Sequence, residues 1–114
     1  MMLSITIHDA GETVVVRCVG RIVAGPEADT LREAALSQRK RRAVVLDLTG
    51  IDTVDGGGIG LLLFLQGWTR AVGIDLQLLN PAPHIRELLQ LTNLDSVFKI
   101  LFSTDPVSSL AEAF

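Results

Sequence analysis

The stretch Ala43-Val44-Val45-Leu46-Asp47-Leu48-Thr49-Gly50-Ile51-Asp52-Thr53-Val54-Asp55-Gly56-Gly57-Gly58-Ile59-Gly60 decides the fold. Its first six residues are a short, mostly apolar run with β-branched members, the signature of a strand buried on both faces. Asp55 and three glycines follow, and an apolar segment then runs to Val72, where Gly73 reads as a helix stop. A buried strand, a tight turn and a long apolar helix make one strand-turn-helix unit of an α/β sheet, with Asp55 placed to cap the helix.

Upstream, Leu3-Ser4-Ile5-Thr6-Ile7-His8 alternates apolar and polar, and so does part of Thr13-Val14-Val15-Val16-Arg17-Cys18-Val19; Asp9-Ala10-Gly11-Glu12 turns between them. This is an opening hairpin. Gly25-Pro26-Glu27 then starts a helix of about four turns with Leu31, Ala34, Ala35 and Leu36 at helical spacing, ending near Arg39-Lys40-Arg41-Arg42. Downstream, Asp75-Leu76-Gln77-Leu78-Leu79 is a strand and Asn80-Pro81-Ala82-Pro83 a turn. A helix follows over His84 to Thr92, and Val97-Phe98-Lys99-Ile100-Leu101 is a short last strand. A final helix is expected through Val107, Leu110, Ala111 and Phe114. The reading is α/β: a mixed sheet, an opening hairpin plus parallel strands, packed with about four helices, in one domain spanning 1–114.

Composition narrows the function. With 48% apolar and 20% charged residues in 114, a core can offset the entropy of ordering. A net charge of -3 gives no general attraction to nucleic acid or anionic membranes. The basic run Arg39–Arg42 reads as a hydrated helix end whose cations complement the dipole. The single cysteine, Cys18, excludes an intrachain disulfide and lies in an apolar strand, as a buried, inert thiol. No secretory signal and no run of about 20 apolar residues is present, so the chain reads as cytoplasmic with no direct membrane insertion. His8 and His84 have neither a nucleophile nor metal-ligand spacing beside them, and read as surface residues. No catalytic residue, metal or cofactor is expected.

Three consecutive glycines at a helix start cost up to about 1 kcal/mol each in backbone entropy. Their use is close approach of a partner's backbone, an anion site at the helix N-terminus, or a tight strand-to-helix turn. A phosphate loop would need a lysine and a hydroxyl after the glycines, and neither follows Gly58 or Gly60.

Val45-Leu46-Asp47-Leu48-Thr49-Gly50-Ile51, Asp55-Gly56-Gly57-Gly58-Ile59-Gly60, Leu78-Leu79-Asn80-Pro81 and Leu91-Thr92-Asn93-Leu94-Asp95 together resemble the STAS domain of anti-sigma factor antagonists, in order and spacing over nearly the whole chain. The resemblance implies a non-catalytic partner-switching protein that docks on a histidine-kinase-like serine kinase, itself an anti-sigma factor, or on a related STAS scaffold. In that family the loop reads Asp-Ser-Ser-Gly and its second serine is phosphorylated to release the complex. Gly57 occupies the phosphoacceptor position and has no hydroxyl. The expected partner surface is Asp55, Gly56, Gly57, Gly58, Ile59, Gly60, Phe64 and Trp68. The alternatives are a small-ligand or nucleotide sensor, or an accessory subunit of a membrane or signalling complex; a homodimer stays open.

The long helix admits two phases. At 100° per residue, Leu61, Phe64, Leu65, Trp68, Ala71 and Val72 point one way, opposite Gln66, Thr69 and Arg70, which makes Trp68 core. The family resemblance instead turns Ile59, Leu62, Gln66 and Thr69 to the sheet and leaves Gly60, Phe64, Gly67, Trp68 and Ala71 outside. The second phase is adopted, placing Phe64 and Trp68 on the partner side.

Overall fold

The computed structural model describes residues 3–103. Two strands open it, β1 (Ser4–Ala10) and β2 (Thr13–Ile22), followed by α1 (Pro26–Leu36), β3 (Ala43–Val54), α2 (Gly56–Val72), β4 (Asp75–Leu79), α3 (Pro83–Leu91) and β5 (Lys99–Leu101). The sheet order is β1-β2-β3-β4-β5, antiparallel between β1 and β2 and parallel elsewhere. The expected mixed α/β sheet is therefore present, with three helices among the described residues. The helix expected through Val107 and Phe114 lies outside them.

Alternation along the inner strands sets the layers, since successive side chains point to opposite faces. Val14, Val16, Cys18, Val44, Leu46, Leu48, Leu76 and Leu78 share one buried cluster with Leu31 of α1, Leu62 and Leu65 of α2, and Ile85 and Leu89 of α3. The three helices thus lie on one face. Val15, Val45 and Leu79 form a second, small cluster on the other. Cys18 is buried, and desolvation, followed by the negative charge of Asp47, pushes its thiol up to about 12, as an inert thiol requires.

Several of the family-like blocks have local structural reasons. Asp47 is 2% exposed, and its carboxylate accepts from the Thr49 N–H at 3.0 Å and the Thr49 hydroxyl at 2.6 Å. Asn80 has a positive φ of 52° and exchanges two hydrogen bonds with the Ser103 backbone, extending the β4–β5 pairing past its last strand residue. Asn93, at φ 58°, ends α3, and the next N–H, of Leu94, bonds back to Leu89 at 2.8 Å.

Boundaries differ from the sequence reading where tertiary contacts extend or shorten an element. β3 continues through Thr49–Val54 because β2, itself longer than expected, pairs with it as far as Ile22↔Val54. α1 is 11 residues and ends at Leu36, so the basic run does not complement its last turn. Arg41 instead makes a two-pronged pair with Asp9, both contacts 2.8 Å, and Arg42 reaches Glu12 at 3.4 Å, tying the hairpin turn to the loop before β3. The last strand starts at Lys99, with Phe98 buried just before it. No helix among the described residues is long and apolar enough to cross a membrane.

Candidate functional site

The glycine corner stands at the C-terminal end of β3, beside the end of β2. Asp55 is the N-cap of α2 in extended conformation, and its Oδ1 accepts from the Gly58 N–H at 2.8 Å, as expected. The carboxylate does more than cap: both oxygens accept from the Ala24 N–H, at 3.2 and 3.3 Å. One side chain therefore fastens the loop before α1 to the first turn of α2. With its donors found inside the protein, Asp55 shapes the corner, and its negative charge opposes an anion at this helix start.

The glycines divide into two kinds. A Cβ on Gly58 would run into the Ile22 carbonyl, and one on Gly57 would lie 2.5 Å from the Ala24 Cβ. These two are glycine because another backbone passes close by. At Gly56, Gly60 and Gly67 no atom of the described residues lies within 4 Å of such a Cβ. They are exposed, and Gly60 lies one turn before Phe64 on the same side of the helix. No contact among the described residues explains them. Gly73, the helix stop, is left-handed at φ 79°, and the Ile74 N–H closes the turn on Thr69 at 2.7 Å.

The buried residues of α2 are Gly58, Leu61, Leu62, Leu65 and Thr69. This set matches neither expected phase in full. Leu62 and Thr69 face inward and Gly60, Phe64, Gly67 and Ala71 outward, as the resemblance implies; Ile59 and Gln66 are half-buried. Trp68 corrects the sequence reading, being half-buried and packed against the core instead of standing outside. Phe64, Ala71 and Val72 correct the moment argument, because all three are exposed. An almost wholly apolar helix has a weak directional signal, and neighbouring elements decide its rotation. Thr69 is buried without penalty because its hydroxyl donates to the Leu65 carbonyl at 2.8 Å.

Phe64 is 48% exposed and Leu63 38%. The Arg32 guanidinium of α1 lies 5.7 Å from the Phe64 ring centroid and also pairs with Asp29 at 3.1 Å. The outer surface thus runs from Gly56 and Gly60 to Phe64, flanked by Arg32, with Ala24 and Gly25 exposed at its corner. Ala24, Gly25 and Arg32 carry no motif; only the fold brings them here. His84 is elsewhere in chemistry, donating from Nε2 to the Asp52 carbonyl at 2.6 Å, and His8 is half-buried on the edge strand, short of the surface position expected. No group of three His, Cys, Asp or Glu able to hold a metal occurs among the described residues.

The fold is a sheet opened by a hairpin, with helices on one face and an aspartate-capped turn at the end of a parallel strand. The chain belongs to the STAS domain family: the family model described as Mlab, STAS domain, matches residues 5–102. Among relatives, it is 26% identical over 103 residues to BtrV of Bordetella bronchiseptica, a protein whose name places it with the anti-sigma factor antagonists, covering 89% of each chain. Its fold is similar to that of an anti-sigma factor antagonist from Mycobacterium paratuberculosis, with a TM-score of 0.75, 20% identity, and 97% of this chain and 92% of that one covered. It is similar as well to the Bacillus cell fate determinant SpoIIAA in its phosphorylated form, with a TM-score of 0.73, 20% identity, and coverage of 97% and 100%.

Proposed function

We propose that this STAS domain is a non-catalytic protein-binding module of a partner-switching system, docking on a histidine-kinase-like serine kinase that acts as an anti-sigma factor. The docking surface is the corner at Asp55, Gly56, Gly57 and Gly58 with the outer face of α2. Gly56, Gly60 and Phe64 make contact, and Asp55, Gly58, Ile59 and Trp68 hold them in place. One observation carries the reading: Gly56, Gly60 and Gly67 weaken the helix, face open space among the described residues and flank an exposed aromatic. Residues that lower stability and serve no contact among the described residues are accounted for by a partner whose backbone comes close. The kinship with anti-sigma factor antagonists supports the kinase as that partner.

Docking here is not reversed by phosphorylation of the loop, because Gly57 carries no oxygen to accept a phosphoryl group. The test is reconstitution with the histidine-kinase-like serine kinase of the same genome. The complex forms, survives addition of ATP and magnesium, and the chain gains no phosphate. Dissociation on ATP with a gain of 80 Da on this chain overturns the unswitched reading. Phe64→Asp, which adds a charge on the exposed side, abolishes capture while leaving the melting temperature unchanged; capture at full strength overturns the surface.

A further inference from the structure

Position 57 lies in the first turn of a helix and has no left-handed φ, so its backbone accepts any L residue. The obstacle is space. A Cβ there meets the Ala24 Cβ at 2.5 Å, its Cα at 3.0 Å and its N at 3.1 Å. Two of the three atoms are backbone, so no change of rotamer relieves the overlap.

Ala24 is also held from the other side. Its N–H is bound by both Asp55 oxygens, and the same carboxylate caps α2 through Gly58. Just before it, the Ile22 carbonyl accepts from the Asp55 N–H at 3.4 Å, and just after it α1 begins at Pro26. The clamp draws the two sides of the contact together. One residue earlier the situation reverses, since a Cβ on Gly56 would meet no atom of the described residues within 4 Å.

We propose that Ala24 and Gly57 form one steric unit, clamped by Asp55, which reserves position 57 for glycine and so keeps a phosphoacceptor hydroxyl off that position of α2. What this means for partner release rests on the docking reading above; the steric unit itself does not. The missing hydroxyl is then a property of two loops. Replacing Gly57 alone does not recreate a serviceable site, and a site that can be filled requires a smaller residue at position 24.

Thermal unfolding of five proteins tests this without any partner: wild type, Gly56→Ser, Gly57→Ser, Ala24→Gly, and the Ala24→Gly/Gly57→Ser double variant. Gly56→Ser melts within about 3 °C of wild type, as surface substitutions do. Gly57→Ser melts lower by on the order of 5–15 °C, the range expected for overpacking in a small domain. Against the Ala24→Gly background, where only the 3.0 and 3.1 Å contacts remain, the same serine costs less than half as much. Should Gly57→Ser fail to fold, a cooperative transition in the double variant gives the same answer. A Gly57→Ser protein as stable as Gly56→Ser overturns the proposal, and so does a double variant whose loss equals the sum of the singles. Neither result bears on capture of the kinase, and a failure of capture leaves this cycle readable.

Discussion

The inner and outer glycines of α2 follow opposite logic. Gly57 and Gly58 face the end of β2 and the loop after it, where the Ile22 carbonyl and Ala24 leave no room for a side chain. Gly56, Gly60 and Gly67 face outward, where a Cβ would meet no atom of the described residues within 4 Å. The inner pair is explained by the fold, while the outer set weakens a helix and meets no contact among the described residues, which is what the proposed docking surface accounts for. A glycine count alone hides this distinction; it takes the neighbours of each absent Cβ to reveal it.

The contrast is broken or sharpened most strongly at Gly58. Gly58→Ala drives a Cβ into a strand carbonyl and is expected to cost about 3 kcal/mol or more, measured by denaturant unfolding. A near-neutral result removes the inner class. Asp55→Ala comes next, expected to lose about 1–2 kcal/mol because the helix cap and the tie to Ala24 go together. The outer class carries the opposite sign. Gly60→Ala and Gly67→Ala are each expected to raise stability by about 0.5–1 kcal/mol, the helix propensity gained without a clash. Destabilisation at either position would mean that the fold needs those glycines after all.

The smallest effect lies far from the corner and serves as its control. The Arg41 hydrogen bonds, followed by the Gly11 N–H, hold the Asp9 carboxyl down at about 2, below its ordinary 3.8. Because the folded value is the lower one, this contribution is complete above about pH 4 and disappears as the pH falls through about 2. With the Asp9 side chain largely exposed to solvent screening, the loss is slight. Thermal melts over that window are expected to show a small decline that Arg41→Ala removes, with no change in the corner's behaviour.

Much of this was legible in the chain. The buried strand from Ala43 to Leu48, the cap at Asp55 and the stop at Gly73 are local signals, written in residues adjacent in sequence, and the hairpin follows from alternation. The rotation of α2 was not, because Leu61, Leu62, Leu63, Phe64 and Leu65 offer no polar residue to orient them, and Trp68 turned out to pack inward. The Asp9–Arg41 pair and the meeting of Ala24 with Gly57 join residues more than thirty positions apart. Such contacts exist only once the sheet has assembled.

The central claim is that the outer glycine face is a docking surface, and Gly60 tests it most directly, being exposed, unhindered and one turn from Phe64. Titration of the kinase with wild-type chain and with Gly60→Glu, both checked by thermal melting, is the measurement. The account predicts an unchanged or higher melting temperature with affinity reduced at least about tenfold, a difference of ~1.4 kcal/mol. Equal affinity for the two proteins would contradict it.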